Sequence, residues 1–295
     1  MNVYKDETMK EQIIKRMQFD NPWWVSGSIP NDYKSMQHRL YLDTFMPMVA
    51  DVSTRRGVIL MGPRRVGKTV MIFHTIEELI KNGVPAQKII YLSIDTPIYN
   101  NISLEDLLQL ARESLKQSDA SMDGYFVFYD EVQYLKDWEI HLKSLIDSYR
   151  NIKFVASGSA AAALKMKSTE SGAGRFTDFM LPPLTFKEYI HLLDLNNLIV
   201  PTRMIWDGRE INSYDTIDID LLNKHFVDYI NYGGYPEIVL SKKMQDDITQ
   251  YVRHDIVDKV MLRDLPSLYG IKDIQELNRL FVYIVYHTGE EFSYD

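Results

Sequence analysis

The sequence contains no cysteine. Disulfide bonds, cysteine-ligated zinc, iron–sulfur clusters and a thiol nucleophile are therefore excluded. An excess of basic residues is also missing, since 33 Lys and Arg stand against 41 Asp and Glu, for a formal net charge of −8. A broad basic surface for nucleic acid is not expected from this balance, and only a local basic patch is left open.

Long apolar runs are equally absent. No uncharged apolar stretch approaches the roughly 20 residues that a membrane-spanning helix needs. Residues 5–16 carry seven charged side chains, so the N-terminus has no signal-peptide core. We expect no membrane partner and a cytoplasmic location, which the lack of cysteine also suits. The seven histidines are scattered and show no HExxH or other tight metal-ligand spacing.

What the sequence does contain is a regular alternation of short apolar runs and helical patterns. The runs predict strands at 57–61, 88–94, 125–129, 152–156 and 175–181, and the patterns between them predict helices at 67–82, 104–117 and 137–149. Strands that alternate with helices indicate a parallel sheet covered on both faces. The predicted fold class is therefore α/β, a three-layer α/β/α core with a parallel five-stranded sheet.

Both flanks of this core are predicted to be mainly helical. Upstream, helices are expected at 5–19 and 38–51, with Trp23 and Trp24 in a loop that packs the N-terminal arm onto the body. Downstream of Pro182-Pro183, the stretch 196–218 is irregular with room for a hairpin, and helices are expected at 185–195, 219–231, 236–243, 246–262 and 273–288.

The turn after the first predicted strand matches the pattern G-x-x-x-x-G-K-[ST] in full. Its glycines let backbone N–H groups curl around phosphates, and the following helix N-terminus adds partial positive charge. Lys68 supplies a charge for the β- and γ-phosphates, and Thr69 offers its hydroxyl to Mg²⁺. The sequence thus predicts a P-loop NTPase core that binds ATP. The predicted nucleotide-binding residues are Gly62, Pro63, Arg64, Arg65, Val66, Gly67, Lys68, Thr69 and Val70.

An acidic pair ends the third predicted strand. Asp130 and Glu131 directly follow the apolar run YFVFY. A carboxylate at the carboxyl end of a buried parallel strand lies beside the phosphates, so Asp130 is predicted to hold Mg²⁺. Glu131 is then predicted to polarise the attacking water as the catalytic base.

Three further side chains are candidates for the catalytic site. Ser157, and second to it Ser159, follows the fourth strand, where a polar residue can contact the γ-phosphate or the water; a Ser-Gly turn capping the next helix explains either serine equally well. Arg175 follows the flexible stretch Gly172–Gly174 and precedes the fifth strand, which favours an arginine finger that acts in cis. A surface ion pair is the alternative for Arg175.

Together with these motifs, other segments resemble one family, the bacterial and archaeal AAA-type ATPases of the AAA+ superfamily whose C-terminal domain has unknown function. The matching segments are GPRRVGKT (62–69), FYDEVQYLKDWEIHLKSLID (128–147), SGS (157–159), GAGRF (172–176), LPPLTFKEYI (181–190), GGYPEIV (233–239) and the helix end at 260–264. The resemblance implies an ATPase core followed by a smaller helical lid. It also implies that Pro236, in GGYP, takes the place of a lid proline that touches the nucleotide; locally, Pro236 is expected to start a helix.

The resemblance further implies a division of the chain into an N-terminal helical arm (1–50), a P-loop ATPase core (51–190), a helical lid (191–265) and the start of a truncated, winged-helix-like domain (266–295). Effector chemistry, and contact with a protein partner or nucleic acid, are expected from the missing C-terminal region. The oligomeric state stays open, because AAA-type ATPases often share an arginine between subunits whereas switch-like relatives act as monomers.

The function expected from the motifs is a Mg²⁺-dependent ATPase that works as a nucleotide switch. A nucleotide-binding scaffold with negligible turnover is one alternative, disfavoured by the intact Lys68, Thr69, Asp130 and Glu131. A P-loop kinase is another, disfavoured because residues 185–265 contain no dense cluster of arginines. A helicase or DNA motor is disfavoured by the acidic balance.

Overall fold

The computed structural model describes residues 7–115, 122–159 and 174–291. Within the chain, contacts separate two compact units, residues 1–245 and 246–295, and each is described by itself. Three predicted segments lie partly outside the described residues. They are the first two residues of the helix predicted at 5–19, the last two of the helix predicted at 104–117, and residues 172–173 of the glycine stretch before Arg175.

The first unit is built on a parallel sheet of five strands in the order β2-β3-β4-β1-β5, which confirms the predicted fold class. The central strands are buried along their whole length because apolar residues face the helices on both sides. The strands are β1 (Gly57–Gly62), β2 (Ile89–Ser93), β3 (Tyr125–Asp130), β4 (Ile152–Ser159) and β5 (Phe176–Met180).

Helices flank the sheet at the positions that the periodicity predicts. The Ser103 hydroxyl caps the second of them, where it accepts a hydrogen bond from the Asp106 backbone N–H at 3.0 Å. The leucines of that helix at 104, 107 and 108 are fully buried. The helices of the core are α5 (Lys68–Lys81), α6 (Leu104–Ser114) and α7 (Trp138–Ser148).

The N-terminal segment covers β2, the edge strand of the sheet. The Asn21 side chain accepts from the Tyr91 N–H at 2.7 Å and donates to the Tyr91 carbonyl at 2.8 Å, as a neighbouring strand would. The indoles of Trp23 and Trp24 both donate to the Ile89 carbonyl, and the predicted packing role of these tryptophans is confirmed. They lie in a short helix rather than a loop. The segment contains α1 (Glu7–Asp20), α2 (Trp23–Ser26), α3 (Asn31–Lys34) and α4 (Leu42–Ala50).

After β5 the first unit continues as helices interrupted by a hairpin. The hairpin falls inside the stretch 196–218, as predicted, and its turn at Asp207-Gly208 has φ values of 46° and 69°, which this dipeptide tolerates well. A separate small core around Tyr189 and Val239 packs these helices together. The elements are α8 (Phe186–Leu192), β6 (Ile199–Trp206), β7 (Arg209–Thr216), α9 (Ile219–Tyr232), α10 (Pro236–Leu240) and α11 (Lys242–Asp246).

The second unit is helical, but not in the form predicted for 246–262. Only a short α-helix forms there, and the backbone then continues in two π-helical segments. Periodicity over a few turns does not distinguish these hydrogen-bonding patterns. The elements are α12 (Ile248–Tyr251), π-helical Val252–Val257 and Val260–Asp264, α13 (Leu265–Tyr269) and α14 (Ile274–Tyr286). Among the described residues of the whole chain, every helix is too short or too polar to cross a bilayer.

Candidate functional site

The loop of residues 62–69 joins the carboxyl end of β1 to the start of α5. Its two glycines are required by geometry. A Cβ on Gly62 would lie 2.4 Å from the Leu181 carbonyl oxygen, and Gly67 has a φ of 95°, in the left-handed region. The first backbone N–H groups of α5 have no partners within the helix, so they are available to an anion held by the loop.

Lys68 folds back across this loop. Its Nζ donates to the carbonyl oxygens of Gly62 at 3.1 Å and Pro63 at 2.9 Å, and the residue is only 4% exposed. The ammonium group is therefore held at the loop by bonds that it can exchange for bonds to phosphate oxygens.

Asp130 ends β3, as predicted, and its side chain lies against Thr69. Its Oδ2 accepts from the Thr69 hydroxyl at 2.7 Å and from the Tyr91 hydroxyl at 2.9 Å. Its Oδ1 accepts from the Ser157 hydroxyl and from the Glu131 N–H. Four donors thus fix a carboxylate that is 1% exposed, and they satisfy the acceptor capacity that burial would otherwise leave unpaired.

Thr69 and Asp130 are the pair that could hold a divalent cation. Over residues 7–115, 122–159 and 174–291, no group of three or more His, Asp or Glu side chains is arranged as a metal site. A hydroxyl and one carboxylate suit Mg²⁺, which usually takes one or two protein oxygens and completes its shell with phosphate oxygens and water. The donor set therefore fits a metal that arrives with a nucleotide.

Glu131 adopts a left-handed backbone conformation, with φ 56° and ψ 42°, which turns the chain sharply away from β3. Its carboxylate accepts from the side-chain amide of Gln133, whose own oxygen accepts from the Ser159 N–H at 3.2 Å. Burial raises the pKa of Glu131, with a further rise from Asp130 and a partly opposing effect from Lys68. A carboxylate with a raised pKa is a stronger base.

The serines after the fourth predicted strand belong to the strand itself. β4 continues through Ser159, because its last three residues keep pairing with Leu60–Gly62 of β1. The Ser-Gly turn is therefore not formed at residues 157–159, and the helix that it was expected to cap lies outside the described residues. Ser157 is fully buried and bonds Asp130, and it also accepts from the Glu131 N–H at 3.3 Å. In this structure Ser157 orients the acidic pair.

Arg175 lies at the amino ends of the strands, whereas the phosphate loop lies at their carboxyl ends. Since β5 runs parallel to β1 and Phe176 pairs with Gly57, Arg175 is at the amino end of the strands, roughly 17 Å from the loop at about 3.3 Å per residue. Its Nε donates to Asp147 of α7 at 2.6 Å, with both side chains more than 40% exposed. The predicted phosphate contact in cis is therefore wrong, and the surface ion pair is correct.

Replacing Arg175 by alanine is expected to leave nucleotide affinity and turnover at the parent's values. It removes one exposed ion pair, which is worth about 1 kcal/mol of unfolding free energy or less. Urea unfolding and a phosphate-release assay on the same preparation measure both quantities. A drop in turnover beyond about tenfold in a normally folded variant would contradict the position assigned to Arg175.

Residues of α10 lie beside the loop. A Cβ built on Gly67 would be 3.9 Å from the ring of Pro236, and Arg65 Nη1 donates to Glu237 at 2.6 Å. Pro236 also begins α10, as predicted. Its contact with a nucleotide stays a prediction. Of the other loop residues, Arg64 reaches the Tyr134 hydroxyl at 3.4 Å, Val66 is buried and Val70 is half-buried.

Three side chains that contact the site were not found from the sequence: Tyr91, Gln133 and Arg39. Tyr91 is one strand away from Asp130, and only the pairing of Ser93 with Asp130 shows that the two share a face of the sheet. Gln133 stands two residues after Glu131, and this closeness is the one signal available in the sequence. Arg39 donates to the Val66 carbonyl of the loop from 27 residues away and shows no motif.

The fold and the site together define a P-loop NTPase. One strand, β4, separates the loop-bearing β1 from β3, which carries the acidic pair. Residues 54–190 match the family described as AAA domain, and residues 223–295 match a domain of unknown function, DUF8612. Over residues 54–190 the chain is thus similar to AAA-type P-loop ATPases, and over residues 223–295 it is similar to this domain of unknown function.

Curated relatives are similar at low identity and are themselves uncharacterized. A protein of Haemophilus influenzae is 24% identical over 79% of this chain and 52% of its own length. A protein of Methanocaldococcus jannaschii is 28% identical over 80% of this chain and 47% of its own length. The chain thus spans about half the length of the curated relatives it matches.

Among solved structures, the chain is similar to the Aeropyrum pernix Orc1 protein in complex with DNA, with a TM-score of 0.46, 11% identity and coverage of 92% of this chain and 83% of that one. It is also similar to Saccharomyces cerevisiae Hsp104 bound to casein, with a TM-score of 0.40, 14% identity and coverage of 64% and 32%. Likenesses this distant carry no argument about function.

Proposed function

We propose that this chain binds ATP with Mg²⁺ at residues 62–69 and hydrolyses it, as an AAA-type nucleotide switch. The observation that carries the proposal is the 2.7 Å hydrogen bond from Thr69 to Asp130. This partly buried hydrogen bond joins the phosphate loop to the acidic pair, although Thr69 and Asp130 are 61 residues apart in the sequence. The residues assigned to phosphate binding and those assigned to hydrolysis are therefore close enough to act on the same triphosphate.

The binding half of the proposal rests on the loop and Lys68. The loop offers backbone N–H groups at the start of α5, and Lys68 offers a cation within its reach. These groups suit the β- and γ-phosphates of ATP, which carry most of the ligand's negative charge. A magnesium ion held by Thr69 and Asp130 would neutralise charge that develops on the same phosphates.

The hydrolytic half rests on Glu131. Glu131 directly follows Asp130 and is half-buried, and the partial loss of solvent raises its pKa, as a general base needs. In the proposed reaction Glu131 takes a proton from the attacking water, whose oxygen bonds the γ-phosphorus while the bond from that phosphorus to the β–γ bridging oxygen breaks. ADP is the leaving group, and inorganic phosphate is the second product. Ser157 orients Asp130 and Glu131, and Gln133 holds the Glu131 carboxylate against the end of β4.

A phosphate-release assay on the purified chain tests the proposal. We expect release that requires ATP and Mg²⁺, stops with EDTA, and stops in Asp130→Asn, which keeps the size of the side chain but replaces one acceptor oxygen by a donor NH2 group and removes the charge that would hold the metal. The matched control is Asp147→Asn, an exposed acid on α7. Equal release by the parent and Asp130→Asn would overturn the assignment of this site.

The switch role predicts a response in the segment beside the loop. ATP is expected to slow backbone amide exchange at residues 232–240, because Pro236 and Glu237 adjoin Gly67 and Arg65 and become ordered when the loop is filled. Hydrogen–deuterium exchange with and without ATP measures this. The hairpin at 199–216 is the internal control and is expected to be unchanged. Identical amide protection in residues 232–240 with and without ATP would mean that this segment does not respond to nucleotide binding.

A further inference from the structure

The Arg39 side chain joins three segments of the first unit around the phosphate loop. It forms two parallel bonds with Glu188 at 2.7 and 2.9 Å, and it donates to the carbonyl oxygens of Val66 at 2.6 Å and Pro182 at 3.0 Å. Arg39 is 4% exposed and Glu188 is 1% exposed. One guanidinium thereby links the loop, the chain just after β5 and the start of α8.

The bond to Val66 has a consequence for the neighbouring amide. In a planar trans peptide the C=O and the next residue's N–H point in opposite directions. The Val66 carbonyl accepts from Arg39, so the Gly67 N–H points to the side of the peptide that faces away from the guanidinium. Gly67 has a φ of 95° and no side chain, so its own backbone does little to fix the orientation of that peptide.

The arrangement suits arginine and no other residue. The planar guanidinium can meet both oxygens of Glu188 and still reach two carbonyl groups, whereas a lysine offers one nitrogen. Glu188 is itself fixed, because it belongs to the capping box that Thr185 forms at the start of α8. The donor to Val66 is therefore held rigidly.

We propose that Arg39 is a positioning residue for the phosphate site, which fixes the Val66–Gly67 peptide so that the Gly67 N–H faces a bound phosphate. The inference rests on the proposed function, since it assumes that the loop binds a nucleotide. The loop amides serve phosphates that ADP and ATP share. Losing the Arg39 contact therefore weakens both nucleotides to the same extent.

The test must separate this role from a loss of folding, because removing one member of a buried ion pair leaves the other charge unpaired. The double variant Arg39→Met, Glu188→Met removes both charges and keeps apolar volume, so it is expected to fold. Arg39→Lys is the conservative variant, and Arg175→Met is the matched control at an exposed arginine. Circular dichroism melts establish which variants are folded.

Calorimetric titration with ADP and with Mg²⁺ and ATP is then compared across these proteins. We expect the folded double variant and Arg39→Lys to bind both nucleotides about tenfold more weakly. Their KM for ATP should rise while kcat at saturation stays within about twofold, a split that general destabilisation does not produce. Arg175→Met should match the parent.

The possible outcomes distinguish a failure of the proposed function from a failure of the proposed role of Arg39. A parent chain that binds neither nucleotide would overturn the proposed function. A parent that binds both, with a folded double variant of equal affinity, would overturn the role of Arg39 alone. Weakening of ATP but not ADP would also contradict it, because the Gly67 N–H would then serve the γ-phosphate.

Discussion

Glu131→Gln is expected to bind ATP as the parent does and to hydrolyse it at least about 10²-fold more slowly, the usual scale of a lost general base. Glutamine keeps the shape of the side chain and can still bond Gln133, but it cannot accept a proton from water. Asp130, Thr69 and Lys68 are untouched, so the groups assigned to binding remain in place.

The pH dependence gives this prediction a second readout. Burial raises the pKa of Glu131 above that of an ordinary glutamate. A base acts in its deprotonated form, so kcat/KM, which reports the pKa of the free protein, is expected to fall as the pH is lowered through this raised pKa and to level off above it. Glu131→Gln should lack that acidic limb, and its residual rate should be flat over the same range.

Steady-state phosphate release over a pH series, with ATP affinity measured separately by calorimetry, checks both statements. The control is Glu113→Gln, an exposed glutamate on α6 that pairs only at the surface with Lys10. If Glu131→Gln turned over at the parent's rate, Glu131 would have a structural role and another group would activate the water.

Lys68→Ala is expected to weaken ATP binding on the order of 10²-fold, or about 3 kcal/mol, as for the loss of one or two hydrogen bonds between charged groups. The net effect is smaller than the gross strength of those bonds. The Lys68 ammonium bonds the carbonyls of Gly62 and Pro63, so phosphate binding exchanges partners rather than creating them.

Calorimetric titration with Mg²⁺ and ATP measures the affinity of Lys68→Ala. Lys81→Ala is the control on the same helix, because Lys81 is an exposed cation at its C-terminal end that pairs with Glu77 and Glu78. Parent-like affinity in Lys68→Ala, with the fold intact, would mean that the phosphates bind elsewhere.

The groups that are close in sequence were predictable. The phosphate loop is a motif of eight consecutive residues, and its spacing is typical of phosphate binding. The Asp130–Glu131 pair directly follows an apolar run that predicts a buried strand. Parallel strands end at a common edge, so the meeting of Thr69 with Asp130 followed from the alternation of strands and helices alone.

The groups that depend on register and long-range packing were not predictable. The glycine before Arg175 suggested a mobile arginine finger. The pairing of Phe176 with Gly57 instead places Arg175 at the amino ends of the strands, opposite the phosphate loop. Arg39 and Glu188 are separated by 149 residues, and neither belongs to a motif. No periodic pattern in the sequence encodes such a pair.

The serines of β4 show a third limit on what could be predicted from the sequence. A Ser-Gly-Ser sequence is typical of a turn, yet here it extends a strand, because β1 offers backbone partners up to Gly62. The same pairing turns Ser157 toward Asp130. Local preference was overridden by the neighbouring strand, so the position of Ser157 could be predicted while its contact could not.

A structure of the chain with Mg²⁺ and a non-hydrolysable ATP analogue tests the central claim most directly. The account predicts the triphosphate along the backbone N–H groups of residues 62–69, with Lys68 Nζ moved from the Gly62 and Pro63 carbonyls to the β- and γ-phosphates. It also predicts the metal at Thr69, beside Asp130. A nucleotide bound elsewhere, or a loop in which Lys68 still bonds both carbonyls, would contradict it.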